Sequence, residues 1–344
     1  MKKIIVTGHR GFIGSLLANM LIQNGCEVTG IDTGYFNEDC ELFSNNLSIK
    51  EVKNDLRDIS EEDLSGSYAV CHLGALSNDP MGEIDPELTF EINYRASVRL
   101  AQLAKKVGVE KFIYSSSCSL YGIASGENDI TEEGQLNPLT AYAKSKVQTE
   151  KEILPMTDSH FSVTSLRNST AYGVSPKLRV DLVVNNLVGW ALTSGEIRIM
   201  SDGSPWRPLI HAEDIARAFL AVIDAPPEKV NGQAFNVGVN SENYRVREIA
   251  ELVADAVPGC RLVFTGEHGA DSRSYRVNFD KIRNNLPEFQ PQWTLKQGIA
   301  QLVEHFRKYG MTPEKFSGRY FIRLKQLQYL LQSKKLNEKL FWND

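Results

Sequence analysis

The sequence predicts an α/β protein with a doubly wound parallel sheet and a smaller lobe interleaved into its C-terminal half. Three observations predict this fold: a strand–turn–helix–strand unit in the first forty residues, later β-branched runs that alternate with helical patterns, and a second half that prolines interrupt. Alternating strands and helices are typical of a parallel sheet covered by helices on both faces.

Length and composition indicate an ordinary globular chain. Its 344 residues are 42% hydrophobic and 24% charged, which excludes the collagen-like and disordered classes. The length suits roughly two domains. The net charge of -5 argues against a nucleic-acid partner, and no apolar run approaches the ~18 residues that a membrane span requires. Five scattered cysteines without a C-x-x-C pair favour the reduced cytoplasm and indicate neither a disulfide framework nor a metal site.

The N-terminal segment forms the first strand–turn–helix–strand unit. A β-branched run over residues 2–7 is followed by a glycine-rich turn over 8–14, and apolar residues then recur at helical spacing until Asn24. A second apolar run over residues 28–31 ends at Asp32. The acid therefore lies at the carboxyl end of the second strand.

The turn and the acid together predict a dinucleotide site. Gly8, Gly11 and Gly14 let backbone N–H groups approach a pyrophosphate at the start of a helix, where the partial positive charge favours an anion. Asp32 can accept hydrogen bonds from a ribose diol. Because Asp32 would repel a 2′-phosphate, NAD is favoured over NADP. Arg10 offers a cation for such a phosphate, or else is a solvated turn residue.

The remaining strands and helices extend the same alternation. Strand-like runs follow at Ile49–Val52, Ala69–Leu73, Phe112–Ser115 and Ser162–Leu166, and helical patterns cover Glu87–Val107 and Tyr142–Leu154. We expect residues 1–170 to form a Rossmann dinucleotide-binding domain, to which residues 209–240 return. Residues 171–208 and 241–310 would form the substrate-binding lobe.

Residues 311–344 predict a basic helical C-terminal extension. Lysines and arginines outnumber acidic residues there, and Leu324, Leu327 and Leu331 suit a helix packed on the body of the protein. A basic stretch of this kind is typical of a solvated face, and a nucleic-acid patch is the alternative.

A serine-rich strand end and a tyrosine–lysine pair predict the catalytic centre. The run over residues 112–119 passes from a buried strand into hydroxyl side chains, at the sheet edge where open α/β folds bind ligands. Tyr142 and Lys146 lie one turn apart on one helix face. An ammonium beside a phenol stabilises the phenolate and lowers its pKa. With a nearby serine, the pair would deprotonate an alcohol while hydride leaves its carbon for nicotinamide.

These combined motifs resemble the extended short-chain dehydrogenase/reductase superfamily, and within it the NAD-dependent sugar-nucleotide epimerases and dehydratases. The resemblance spans residues 2 to about 302. It implies that Tyr142 is the general base and acid, that Lys146 orients the nicotinamide ribose, and that Ser117 is the catalytic hydroxyl. The residues expected to contact NAD are Gly8, Arg10, Gly11, Phe12, Ile13, Gly14, Asp32, Asp55, Leu56, Leu73, Gly74, Ala75, Asn93, Ser115, Tyr142 and Lys146.

The resemblance also implies a nucleotide-diphosphate sugar as substrate. The segment that begins at Trp206 resembles the family's arginine-led strand, so Arg207 would bind the diphosphate. Asn186 matches a phosphate-contacting asparagine, and Arg273 lies in a segment, 271–275, that resembles the family's nucleotide end. A surface salt bridge is the alternative for both arginines. The full set expected at the substrate is Ser117, Cys118, Thr170, Asn186, Arg207 and Arg273.

Departures from the family pattern leave the substrate open. Hexose 4,6-dehydratases carry Asp-Glu after the serine, whereas this chain has Cys118-Ser119, which disfavours dehydration by that mechanism. Cys118 is either a packed thiol or a group that reaches the sugar. Thr170 stands where the family commonly has asparagine, and His268 where an arginine is often found.

The sequence therefore predicts a cytoplasmic NAD-dependent sugar-nucleotide epimerase that works through a transient 4-keto-hexose. A 4-dehydrogenase or 4-ketoreductase that exchanges its cofactor, a dehydratase, and a non-catalytic NAD-binding scaffold are the alternatives. The resemblance implies a homodimer formed by the helices at residues 87–107 and 142–154. The apolar faces of these helices suit packing on the sheet equally well.

Overall fold

A computed structural model describes residues 1–45, 48–123, 129–266 and 273–343. Of the residues singled out in the sequence, His268 and the first two of segment 271–275 lie outside the described ranges. The strands are β1 Lys3–Thr7, β2 Glu27–Asp32, β3 Lys50–Lys53, β4 Ala69–His72, β5 Lys111–Ser117, β6 Ser162–Asn168, β7 Thr170–Tyr172, β8 Glu196–Ile199, β9 Trp206–His211, β10 Gln233–Val237, β11 Asn243–Arg245 and β12 Arg261–Phe264.

Seven of these strands form one parallel sheet in the order β10-β6-β5-β4-β1-β2-β3. The chain proceeds outward from β1 in both directions, so the strand order reverses between β1 and β4. The crevice at the carboxyl ends of strands at such a reversal is where open α/β sheets bind ligands. The doubly wound sheet is confirmed, and each predicted strand is observed.

Helices cover the sheet and build the lobe. They are α1 Gly14–Gln23, α2 Glu61–Leu64, α3 Asp79–Gly82, α4 Pro86–Phe90, α5 Ala96–Lys106, α6 Ala141–Ile153, α7 Val183–Ser194, α8 Ala212–Asp224, α9 Pro227–Val230, α10 Val246–Ala256, α11 Asp280–Asn285, α12 Leu295–Lys308, α13 Pro313–Ser317 and α14 Arg323–Gln332. The helix predicted over residues 87–107 is divided, because a π-helical turn over Glu91–Arg95 separates α4 from α5.

A side-chain cap fixes the start of α6. The hydroxyl of Thr140 accepts a hydrogen bond from the backbone N–H of Ala143 at 3.2 Å, which satisfies one of the free amides of the first turn. The same hydroxyl donates to the carboxylate of Asp79 at 2.5 Å. Since Tyr142 follows two residues after the cap, these bonds determine where its side chain enters the site.

The second half of the chain divides its packing between two cores. Helix α8 and strand β10 pack with the central sheet, as do buried residues between Tyr275 and Phe289. Helices α7, α10 and α12 bury their apolar faces in a separate core beside the sheets β11-β9-β7 and β12-β8. The expected domain boundaries remain a prediction, but residues 275–289 lie against the central sheet and not in the core of the lobe.

The C-terminal extension folds back on the body of the protein. Leu327, Leu330, Leu336 and Leu340 are buried in one cluster with Tyr35 and with side chains of α3 and α4. Within the described ranges, no helix combines the length and apolar character needed to cross a membrane.

Candidate active site

A cavity of about 940 Å³ opens where the carboxyl ends of the central strands meet the lobe and the C-terminal extension. Its wall includes most of the side chains that the sequence predicted for cofactor, substrate and catalysis. They are Gly8, Gly11, Phe12, Ile13, Gly14, Asp32, Asp55, Leu56, Leu73, Gly74, Ala75, Ser115, Ser117, Tyr142, Lys146, Thr170, Asn186, Arg207 and Arg273. Arg10, Asn93 and Cys118 do not line it.

The glycine-rich turn is packed too closely for side chains. Gly8 has a φ of +75°, and a Cβ there would lie 2.9 Å from the backbone nitrogen of Gly74. A Cβ on Gly14 would lie 2.0 Å from the carbonyl oxygen of Gly8. No side chain therefore covers the backbone at Gly8 and Gly14, where the turn meets helix α1. An uncovered backbone of this kind fits the close approach of a diphosphate.

Asp32 is held in place at the end of β2. Its carboxylate accepts hydrogen bonds from the backbone N–H of Arg10 at 3.1 Å and of Gly34 at 2.8 Å. An acid fixed at the cavity wall fits a ribose diol. The guanidinium of Arg10 lies outside the cavity, where it donates to Asn37 at 2.8 Å and also to Glu51. The structure therefore does not bring the Arg10 side chain to the cavity, which favours NAD over NADP.

Asn93 does not line the cavity, but it hydrogen-bonds with the backbone of Leu76, which does. Its side-chain amide donates to the carbonyl of Leu76 at 3.1 Å and accepts from the N–H of Leu76 at 2.8 Å. This pair of bonds fixes the segment that contains Leu73, Gly74 and Ala75. The predicted cofactor contact of Asn93 stays a prediction, and the structure shows its side chain buried and bonded to Leu76.

The predicted catalytic residues meet at the cavity. The Ser117 hydroxyl lies close enough to the Tyr142 phenol to oppose the rise in its pKa. The Nζ atom of Lys146 donates to the carbonyl of Ser115 at 2.7 Å and lies 5.6 Å from the centre of the Tyr142 ring. Strand β5 and helix α6 together supply all these groups.

Burial determines the protonation of both side chains. Burial lowers the pKa of Lys146 to about 7, although Glu150 opposes the shift. Burial also raises the pKa of Tyr142 to about 12, and Asp79 adds to the rise, while Arg179, Ser117 and Arg273 oppose it. We expected Lys146 to lower the pKa of Tyr142. Without a ligand the pKa is raised instead, because desolvation of the phenol is the largest effect.

The predicted substrate-binding arginines come from the lobe. Arg207 donates to the carbonyl of Trp206 at 2.8 Å and to the carbonyl of Arg273. Arg273 forms an ion pair with Asp79 at 2.8 Å, which links the lobe to helix α3. Asn186 uses its amide to donate to the carbonyl of Val180 at 2.9 Å.

Cys118 is directed away from the cavity. It begins a 3₁₀ turn after β5, and its thiol donates to the carbonyl of Arg167 at 3.1 Å. Burial raises the pKa of the thiol well above its usual range. Of the two readings of Cys118, the structure therefore supports the packed thiol and does not support contact with the sugar.

Several residues of the cavity wall were not found from the sequence. Asp79 begins helix α3, and Glu83 is the first residue after that helix. The lobe contributes Arg179 and Asp181, which form an ion pair at 2.9 Å. The run Asn78-Asp79-Pro80 carried a local signal for the start of helix α3, because asparagine is a favoured cap and proline is favoured in the first turn, but it did not indicate the cavity. No local pattern distinguished Arg179 from an exposed arginine.

Comparison with known proteins shows a matching family and several similar enzymes. The model of the NAD dependent epimerase/dehydratase family matches residues 4–238. The chain is 30% identical over 322 residues to a UDP-glucose 4-epimerase of Mycolicibacterium smegmatis, with 89% of this chain and 98% of that protein covered. It is 26% identical over 324 residues to a UDP-N-acetyl-alpha-D-glucosaminuronate decarboxylase of Bacillus cytotoxicus, with 89% and 98% covered.

A solved structure shares the architecture. It is MoeE5 in complex with UDP-glucose and NAD, which superimposes with a TM-score of 0.76 at 26% identity. The match covers 89% of this chain and 99% of that one.

Proposed function

The chain belongs to the NAD-dependent epimerase/dehydratase family, and on that premise we propose that it is a nucleotide-sugar 4-epimerase that keeps NAD bound through turnover. NAD is its cofactor. One observation carries the proposal: a single cavity wall holds the bare glycine turn, Asp32, and the group of Ser117, Tyr142 and Lys146. A dinucleotide and a sugar can therefore occupy one continuous space.

Each catalytic side chain has a role that its contacts support. Bound NAD supplies a reversible acceptor for the hydride of the sugar carbon. Tyr142 takes the proton of the sugar hydroxyl and later returns it, and Ser117 hydrogen-bonds with the same oxygen. Because burial raises the pKa of Tyr142, its phenolate needs positive charge nearby, and Lys146, 5.6 Å from the ring centre, provides it when protonated.

A uridine diphosphate hexose is the substrate that the relatives favour. The curated relative named above is a UDP-glucose 4-epimerase, and the solved neighbour holds UDP-glucose. Arg207 and Arg273 line the cavity from the lobe and carry fork-shaped donors suited to phosphate oxygens. We assign the diphosphate to these two arginines, with Arg273 exchanging its ion pair with Asp79 for the substrate.

Net elimination is the second candidate, because the structure brings two unanticipated carboxylates near Tyr142. Asp79 contributes to the raised pKa of Tyr142, and Glu83 lines the same cavity. Both carboxylates already have partners, since Asp79 binds Thr140 and Arg273, and Glu83 accepts the N–H of Ala141 at 2.9 Å. These bonds favour a positioning role and hence epimerisation.

The test is an assay of the purified protein with a panel of sugar nucleotides in heavy water, without added cofactor. Mass spectrometry and proton NMR follow the products. We expect an isomer of unchanged mass that contains no solvent deuterium, because hydride returns to the carbon that lost it. Loss of water or of carbon dioxide would assign the protein to the other activities found in its family. Turnover only with added NAD or NADH would show a net dehydrogenase or reductase.

A further inference from the structure

The C-terminal extension forms part of the cavity wall. Helix α14 begins there, and Ile322, Arg323 and Leu324 all line the space that contains the glycine turn. The extension is anchored just beyond Asp32, since the indole of Trp342 donates to the carbonyl of Thr33 at 2.6 Å. A segment outside the two predicted domains therefore contacts the cofactor end of the site.

Arg323 is the buried cation of this segment. Its side chain is 2% exposed, and its guanidinium lies 4.3 Å from the centre of the Phe36 ring. Nη2 donates to the carbonyl of Lys177 at 2.8 Å, while Nη1 has no hydrogen-bond partner among the described residues. A buried guanidinium with an unused N–H group is costly, so an anionic ligand would stabilise this arrangement.

A short chain of hydrogen bonds connects Arg323 with the glycine turn. The carbonyl of Lys177 accepts from Arg323, and the N–H of Lys177 donates to the hydroxyl of Ser175 at 3.2 Å. That hydroxyl donates to the carbonyl of Phe12 at 2.7 Å and also contacts the hydroxyl of Ser15 at 3.1 Å. Arg323 is therefore linked through Lys177 and Ser175 to the turn that suits a diphosphate, and both line the same cavity.

The other cations in this neighbourhood already have carboxylate partners. Lys177 pairs with Glu41 at 2.7 Å, Arg179 pairs with Asp181 at 2.9 Å, and Arg10 pairs with Glu51. Arg323 has no such ion pair among the described residues. The first turn of α14 also contains no acidic residue and no side-chain cap. Arg323 is therefore a buried cation of the cavity wall that can meet an anion, although the charges of Asp181 and Asp32 also act on it.

We propose that Arg323 binds the diphosphate of NAD, so that the C-terminal extension supplies a residue of the cofactor site and retains the cofactor. The inference rests on NAD as the bound cofactor and is independent of which reaction the protein performs. Bidentate donation from a planar guanidinium suits phosphate oxygens.

The test measures exchange of bound NAD in the purified holoprotein. The protein is mixed with excess isotope-labelled NAD at several salt concentrations, and the bound fraction is followed by mass spectrometry. We expect Arg323→Gln to exchange NAD at least about tenfold faster, since a charge-assisted bond to phosphate is lost. The salt dependence of exchange should also weaken, because an ionic contact is gone.

Two further variants separate cofactor binding from folding. Lys325→Gln removes an exposed cation from the same helix and should leave exchange unchanged. Arg323→Lys keeps the charge and should give an intermediate rate with the salt dependence preserved. The stabilisation of the melting temperature by saturating NAD should fall in Arg323→Gln.

Specific results would overturn the proposal. The proposal is wrong if Arg323→Gln exchanges bound NAD at a rate within about twofold of that of the unaltered protein. An equal fall in melting temperature with and without NAD would also overturn it, because that result would indicate a purely structural role. Neither readout involves a sugar, so failure here leaves the proposed epimerase untouched, and failure of the epimerase assay leaves this inference untouched.

Discussion

At the scale of single residues, burial of Tyr142 and Lys146 governs the proton chemistry of the site. Both side chains face a cavity whose wall removes them from bulk water, and their pKa values move in opposite directions, to about 12 and about 7. Burial thus favours the neutral phenol of Tyr142 and brings the pKa of Lys146 close to neutral pH. The positive charge that a Tyr142 phenolate requires is therefore present only while Lys146 is protonated.

Removal of the Tyr142 hydroxyl tests its role as the proton acceptor. We expect Tyr142→Phe to lower kcat by about 10²–10⁴-fold, the range for loss of a general base. NAD content should remain normal, because the glycine turn and Asp32 are unchanged. Turnover is measured by NMR and NAD by its release on denaturation. The control Tyr94→Phe removes a phenol hydroxyl that bonds Glu152 outside the cavity, and it should retain activity.

Replacement of Lys146 tests whether its buried ammonium lowers the folding stability of the protein. Because the folded pKa of about 7 lies below the ordinary value of 10.5, the unfolded chain binds more protons between those two pH values. Stability therefore rises with pH across this window, and the cost of the buried ammonium is greatest at and below pH 7. We expect Lys146→Met to raise the melting temperature of NAD-free protein near pH 7, and to raise it less near pH 10. An equal change at both pH values would contradict the shifted pKa.

The residues found from the sequence are those whose role follows from local spacing. Tyr142 and Lys146 lie one turn apart on a helix, and Gly8 and Asp32 bracket one supersecondary unit. Arg323 carried no such signal, because its position depends on contacts between segments far apart in sequence. Cys118 was left ambiguous for the same reason, since only the fold shows which way the thiol points.

At the scale of elements, the C-terminal extension is the feature that the sequence described least well. Its apolar spacing predicted a helix packed on the body, and α14 does pack there. The extension packs on the segment that follows β2, and nothing in its own sequence pattern indicated that it would pack there. The carbonyl of Lys339 accepts from Arg57 at 2.9 Å, and Arg57 in turn holds Asp55 at 2.8 Å. The extension thus supports the acid expected near the adenine.

The anchor at Trp342 can be tested separately from Arg323. Trp342→Ala removes the bond to the Thr33 carbonyl and the contact with Lys53, whose Nζ lies 4.4 Å from the ring centre. We expect faster exchange of NAD with little change in secondary structure, because the extension then opens more often. Exchange is followed with labelled NAD and folding by circular dichroism.

A control and a contrary outcome complete this test. Met200→Ala removes an exposed apolar side chain of the lobe and should not alter exchange. Unchanged exchange in Trp342→Ala would mean that the C-terminal anchor does not limit cofactor release.

At the scale of the whole molecule, the predicted homodimer remains a prediction. Three apolar side chains on the helices expected at the interface, Leu100, Val147 and Ile153, are buried within the subunit. Their apolar character is therefore explained by packing inside one chain. The doubly wound sheet, by contrast, followed directly from the alternation of strands and helices, since that pattern has few other solutions.

Sedimentation velocity at several protein concentrations measures the assembly state. The family resemblance leads us to expect a particle of twice the chain mass that persists on dilution. A species of single-chain mass at all concentrations would contradict the expected homodimer.

The fate of a deuterium atom at C4 of the sugar tests the central claim most directly. A sugar nucleotide converted by the protein is prepared with deuterium at C4 and incubated in ordinary water without added cofactor. We expect the 4-epimer to retain the label at C4, because Tyr142 moves only the hydroxyl proton while the hydride returns from bound NAD. Loss of the label to solvent, or its transfer to added NAD, would contradict an epimerase with a resident cofactor.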